Sequence, residues 1–128
     1  MASKYIILPD ATKDLVLDTI GDAADAAATA GKLNFYDAND VLLGTLTLAD
    51  PAFGASVAGV KTLDTIPAAV PAVADGTATY FTITDGDDTL VYTGSVGVTG
   101  SGEACELNTV EFVTGIDNFI TLHTLTWE

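Results

Sequence analysis

The sequence contains no arginine: its four basic residues are all lysines, set against 18 acidic ones, for a formal net charge of −14. Nucleic-acid binders neutralise phosphates with Lys and Arg, so this balance argues against a nucleic-acid partner. An anionic membrane surface repels the chain for the same reason. The charge favours a cationic partner, whether a metal ion or a basic protein face, or serves solubility alone. A single cysteine, Cys105, leaves no intrachain disulfide framework and no multi-cysteine zinc site. Its neighbours Glu103 and Glu106 disfavour a thiolate. A single histidine, His123, means that any Ser-His-Asp or Cys-His arrangement has to use it, and no G-x-S-x-G turn occurs. It sits between Leu122 and Thr124 in an apolar segment and reads as a structural or surface histidine. No apolar run approaches the roughly 20 residues of a membrane span. Tyr5–Leu8 is too short for the core of a signal peptide. The expectation is a protein made in the cytoplasm and used there, or assembled there into something later released.

What is present suits a sheet. At 128 residues the chain has the size of one domain, read here as 1–128 with residues 1–10 as an N-terminal arm or edge strand. That length buries a core without metal or disulfide staples. Thr, Gly, Val and Leu are abundant and only 17% of residues are charged, as in proteins built of many short strands.

Lys4–Leu8 reads as a short strand or arm stopped by Pro9. Asp10 or Thr12 then caps a helix running to about Ala30, with Gly31 after it. Asp14, Asp18, Asp22 and Asp25 share one face of that helix, and Leu17, Ile20, Ala24 and Ala27 form a narrow apolar edge. From Lys32 the period changes to two. Lys32–Tyr36 and Val41–Leu48 read as a hairpin around Asp37–Asp40, and Val60–Leu63 as another short strand. Ile66–Ala74, uncharged and carrying Pro67 and Pro71, reads as an extended loop without sheet pairing. It either packs over an open end of the sheet or contributes to a subunit contact. Thr77–Thr84 is the clearest strand, with Thr79, Phe81 and Ile83 on one face and Ala78, Tyr80 and Thr82 on the other. Asp85–Asp88 turns it into Thr89–Thr93. Gly94, Gly97, Gly100 and Gly102 punctuate a loop around a short Ser95–Val98 strand. Leu107–Val113 and Phe119–Trp127 complete the set. The expected fold is mainly β, a β-sandwich or jelly-roll-like barrel with one N-terminal amphipathic helix and no internal repeat.

Candidate chemistry is sparse. The glycine series lacks the following helix and the lysine of a phosphate-cradling loop and reads as turns. Asp85, Asp87 and Asp88 carry carboxylates suited to Ca²⁺, but the further ligands of a calcium loop are missing and the segment is ordinary turn chemistry. Glu103, Glu106 and Glu111 have nothing that sets a glycosidase spacing. No catalytic residue, cofactor site or metal site is assigned.

One ordered set of motifs does resemble a known group. An Ala-rich helix is followed by Gly31–Asp37 (GKLNFYD), Gly44–Gly54 (GTLTLADPAFG), Asp75–Phe81 (DGTATYF) and Gly94–Gly97 (GSVG). This resembles small tailed-phage virion proteins with an "LxIYDG"-like strand, an "LADPAFG"-like segment, a "GTATxFRI"-like strand and a "GSVG" loop. The likeness covers roughly residues 12–100. Thr82 stands where that pattern has arginine, and Asn34 where it has an aliphatic or charged residue.

The resemblance implies a non-enzymatic virion component assembled in the host cytoplasm and transfers no catalytic residue. The first reading is a capsid cement or decoration protein. It would bridge subunits of the major capsid protein, and copies of itself as a homo-trimer, without contacting nucleic acid or membrane. Candidate contacts are Tyr5, Ile6, Ile7, Leu8, Phe53, Ile66, Pro67, Val70, Pro71 and Trp127. The alternative is a tail-associated or carbohydrate-binding β-sandwich module. It would use exposed aromatics such as Tyr80 and Tyr92, expected to face each other across their hairpin.

Overall fold

The strongest alternating segments of the sequence do pair, and the order in which they pair closes most of a barrel. The computed structural model describes residues 9–27, 29–48, 53, 56–58, 60–62 and 68–126, with the backbone course alone for 61, 68 and 124–126. Among the described residues there are one helix, α1 (Asp10–Ala24), and ten strands. These are β1 (Lys32–Tyr36), β2 (Leu42–Thr47), β3 (Val60–Thr62), β4 (Ala68–Pro71), β5 (Gly76–Thr77), β6 (Tyr80–Thr84), β7 (Leu90–Val98), β8 (Cys105–Leu107), β9 (Glu111–Phe112) and β10 (Asp117–Thr126). The main sheet runs β2-β1-β6-β7-β8-β10-β3, with β4 also on β10, while β5 and β9 form a separate two-stranded ribbon. A bridge between Gly44 and Ala72 and the bond from Val73 N to Leu43 O (2.8 Å) join the end of β4 to β2. The circuit is therefore a nearly closed, barrel-like sheet with one N-terminal helix, and closure hides most of its edges.

The centre of the sheet has an internal symmetry. β1 and β2 pair through Asn34↔Thr45 and Phe35↔Gly44, and β6 and β7 through Thr82↔Thr93 and Ile83↔Tyr92. Each position in the first hairpin has its counterpart 48 residues later, and both hairpins break register at equivalent places, Phe35/Tyr36 and Ile83/Thr84. β1 and β6 pair antiparallel about Asn34↔Thr82, so a pseudo-two-fold axis relates the hairpins. The turns match too. Asp37 Oδ1 accepts from Asn39 N and Val41 N, and Asp85 Oδ1 accepts from Asp87 N and Thr89 N, all at 2.8–2.9 Å. Asp40 and Asp88, the last turn residues, both have φ of 65°, a conformation that Asp tolerates through local hydrogen bonding. This is an internal repeat that the sequence reading did not find.

Core packing follows the same register. Gly44, Phe35, Phe81 and Gly94 form one row across four strands, with Leu46, Leu33, Ile83 and Tyr92 in the next. Leu33, Phe35, Phe81 and Ile83 are all fully buried. Each central phenylalanine thus has a glycine beside it. A Cβ on Gly94 would lie 2.8 Å from the Phe81 ring, and one on Gly44 would lie 2.9 Å from Pro71 O and 3.0 Å from Phe112.

Several expectations change. The helix ends at Ala24 instead of about Ala30, and its N-cap is Pro9, with Asp10 already in the first turn. Asp22 and Asp25 crowd the negative end of the helix dipole, which favours early termination. Its buried edge is Leu17, Gly21 and Ala24, small enough for close approach. On its acidic face Asp18 Oδ1 accepts from Ser56 N (3.1 Å) and Ser56 Oγ (2.8 Å). Ile66–Ala74 is not a loop without pairing: Ala68–Pro71 pairs antiparallel with Asp117–Ile120. Pro71 is the last residue of that strand. Thr77–Thr84 is interrupted, because Ala78 and Thr79 fall between β5 and β6. Ala78 is buried and Thr79 exposed, opposite to the expected faces at that end.

The glycine-rich stretch is not a loop around a short strand, since Gly94 and Gly97 lie inside the nine-residue β7. β7 and β8 run parallel through Val96↔Cys105 and Val98↔Leu107, joined only by residues 99–104. Parallel neighbours ordinarily need a crossover of about a dozen residues. Here the connection doubles back over β7. Glu106, only 6% exposed, holds it by accepting from Gly100 N (2.9 Å) and Gly102 N (3.0 Å). A Cβ on Gly97 would lie 2.3 Å from Ser101 Oγ, so a bare backbone is needed beneath the returning chain.

Gly44→Ala and Gly94→Ala are each expected to lower stability by about 1–3 kcal/mol through overpacking. Ser95→Ala, on the exposed face of β7, should stay within about 0.5 kcal/mol of the parent. Urea denaturation midpoints compare the three.

Candidate functional site

Of the contact residues expected from sequence, Phe53, Val70 and Pro71 lie among the described residues. Tyr5, Ile6, Ile7, Leu8, Ile66, Pro67 and Trp127 lie outside the described residues. Phe53 (4% exposed) and Val70 (0%) belong to the core, so neither side chain is presented at the surface of the chain. Pro71 is exposed. Burial of Phe53 and Val70 follows from their size and apolarity once the sheet closes over them.

Two other clusters stand out, one inside and one outside. The inner one surrounds His123, which is fully buried on β10. Its ring lies 4.9 Å from that of Phe81 and 6.0 Å from that of Phe53, and its Nε2 is 2.6 Å from Tyr92 Oη. Cys105 is its register partner on β8. Among the described residues, His123 Nδ1 has no hydrogen-bond partner. Burial pushes the imidazole down to about 4 and the Cys105 thiol up to about 12, with the Glu106 charge adding to the latter. Burial also raises the Tyr92 phenol. The cluster therefore holds a neutral histidine, a thiol and a phenol at neutral pH, with no thiolate to act as a nucleophile.

The outer cluster lies where β1 ends and β6 begins. Tyr36 and Tyr80 are register partners whose rings stack with centroids 5.1 Å apart and planes 12° apart. Both are half-buried. The Tyr80 hydroxyl donates to Asp40 Oδ1 at 2.7 Å, across the turn that Asp37 organises. That bond to a carboxylate pushes the Tyr80 phenol up to about 12. The β5–β9 ribbon runs alongside, for a Cβ on Gly76 would come within 3.6 Å of Asp37 Oδ2. There Thr77 Oγ1 donates to the Glu111 carboxylate, 3.0 Å from each oxygen. Tyr80 and Tyr92 do not face each other: Tyr80 pairs with Ser95, and Tyr92 pairs with Ile83 and turns inward. Their positions along the strand have opposite parity and so point to opposite faces.

The Asp85–Asp88 turn carries no metal cage. Asp85 is engaged in its own turn and Asp88 pairs with Lys32 at 2.9 Å. Among the described residues no group of three or more His, Cys, Asp or Glu is placed to hold a metal ion. Sequence reading missed the tyrosine stack because its partners lie on strands far apart in the chain. The available signal was the aromatic residue closing β1 and the one opening β6.

His123 yields a pH test. Its folded value of about 4 lies below the ordinary 6.5, so the unfolded chain takes up the proton first. The stability contributed by neutral His123 is complete above pH 6.5 and is lost as pH falls toward 4. Between pH 7.5 and 5 the loss should reach about 2 kcal/mol, before carboxylates dominate. Denaturant titrations at both values should show that loss in the parent and not in His123→Leu.

No protein-family model, curated protein or solved structure matches the chain.

Proposed function

We propose that the chain is a non-enzymatic structural protein of tailed-phage particles, acting as a capsid cement that bridges neighbouring shell subunits. The observation that carries this reading is where the motifs of the virion-protein resemblance fall. Gly31–Asp37 forms β1 and enters its turn, Gly44–Leu48 lies along β2, Asp75–Phe81 leads through β5 into β6, and Gly94–Gly97 lies under the returning connection of β7. These residues are the scaffold of the four central strands, so the shared motifs specify a fold and leave the surface free to vary. A protein that cements needs a rigid body and contact area, and no reacting group.

The surface supports the same reading. Val73, Val113 and Ile116 are 61, 48 and 57% exposed, and backbone bonds from Ala72 N to Ile116 O and from Ile116 N to Val113 O hold their segments together. Further along β10, Phe119 (45%) and Leu122 (40%) also face outward. Exposed apolar side chains on a strongly charged protein are suited to become interface anchors, with the net charge of −14 selecting a basic face opposite. The partners in this reading are the major capsid protein and further copies of the chain, arranged as a trimer.

Quantitative mass spectrometry of purified particles tests the assignment. Copy numbers near that of the major capsid protein are expected, since the shell alone has so many equivalent positions. A few copies per particle would move the chain to the tail or neck and favour a glycan-binding module. Absence from intact particles would overturn both readings.

A further inference from the structure

The pseudo-two-fold axis makes the two ends of the central sheet comparable, and their side chains differ in charge. Lys32 and Tyr80 occupy equivalent positions, as do Asp88 and Asp40. At one end Lys32 Nζ meets Asp88 Oδ1 at 2.9 Å, so the turn carboxylate is matched by an ammonium. At the other, Tyr80 Oη meets Asp40 Oδ1 at 2.7 Å. The geometry is repeated but the charge is not. A phenol pushed up to about 12 stays neutral at physiological pH, so it donates a hydrogen bond without supplying positive charge. Glu111, on the neighbouring ribbon, is likewise held by a neutral hydroxyl, that of Thr77.

We propose that the Tyr36–Tyr80 stack and the Asp40 carboxylate form a docking platform for a cationic side chain, arginine or lysine, carried by a partner protein. The half-buried stack stands beside an exposed carboxylate that no ammonium among the described residues meets. A guanidinium laid on a tyrosine face gains cation–π attraction and can bond the adjacent carboxylate in the same plane, which favours arginine over lysine. A bare metal ion fits less well, because no third ligating side chain joins Asp37 and Asp40. The chain has no arginine of its own, so an arginine there has to come from a different protein. The inference rests on the cement reading only for the identity of that partner, a basic segment of the shell. The platform can fail its test while copy number supports the reading, and the reverse.

The test is an NMR titration of the intact chain, following the ring signals of Tyr36 and Tyr80. The probes are blocked Gly-Arg-Gly, Gly-Lys-Gly and Gly-Glu-Gly peptides and a neutral oligosaccharide. The arginine peptide is expected to shift both rings saturably, the lysine peptide more weakly, and the glutamate peptide not at all. Asp40→Asn should weaken arginine-peptide binding about threefold or more, while Asp88→Asn leaves it unchanged. Asparagine tolerates the 65° φ of both positions, so each turn is retained. Tyr80→Phe keeps the ring and frees Asp40, and should bind at least as tightly as the parent. Unsaturable shifts spread over the acidic surface would overturn the proposal. So would equal losses in Asp40→Asn and Asp88→Asn, or rings that respond to a neutral oligosaccharide and ignore arginine.

Discussion

Two phenylalanines, Phe35 and Phe81, sit side by side as register partners at the centre of the sheet, each flanked by a glycine, and the core above them needs room. Gly94 leaves that room beside Phe81, whose ring a Cβ there would meet at 2.8 Å, while Gly44, beside Phe35, leaves room for Phe112, Val70 and the Pro71 carbonyl to pack over the row. Aromatic rings bring large apolar area into the core, but two of them in one row leave no space for ordinary neighbours. With glycine at both ends the row becomes flat enough for Val70, Phe112 and Ala104 to close over it. Barrel closure depends on the same constraint, because Gly44 is also where β2 meets the end of β4. The buried histidine cluster is built on Phe81, whose ring contacts both Tyr92 and His123.

Around that row the chain uses one hairpin design twice. The turns agree to the level of individual hydrogen bonds, with an aspartate at the first position organising the loop and another at the last in a left-handed conformation. Symmetry of backbone does not carry over to the surface. One end of the paired strands closes its charge internally through Lys32 and Asp88, while the other presents tyrosines and carboxylates. In a protein whose strands are otherwise committed to packing, that asymmetry is where recognition can be placed without disturbing the fold.

Much of this was legible locally. β1, β2, β6 and the two turns could be read because alternation and Asp/Gly turn chemistry are properties of a few consecutive residues. The mainly β fold with one N-terminal helix followed from those segments together. The repeat was not legible, since the hairpins share little beyond Asp37/Asp85, Asp40/Asp88, Leu42/Leu90 and Thr45/Thr93, and their likeness lies in register. β4 was hidden by Pro67 and Pro71, which mark a loop in most contexts. β8 was hidden by the glycines before it, whose purpose appears only when the connection is seen crossing Gly97. Phe53 and Val70 were read as surface contacts, yet closure of the barrel buries both. The tyrosine stack depends on a non-local pairing that no short-range pattern reports.

Whether the chain cements a shell as proposed, and does so through the Tyr36–Tyr80 end of the sheet, is tested most directly by placing a photo-crosslinking residue at Asn39. Separate particles would carry it at Asp87, the symmetry counterpart of Asn39 in the other turn. Both positions are exposed. Crosslinking to the shell protein from position 39 and not from 87 is the result expected. Crosslinking from 87 alone, or from neither, would contradict the account.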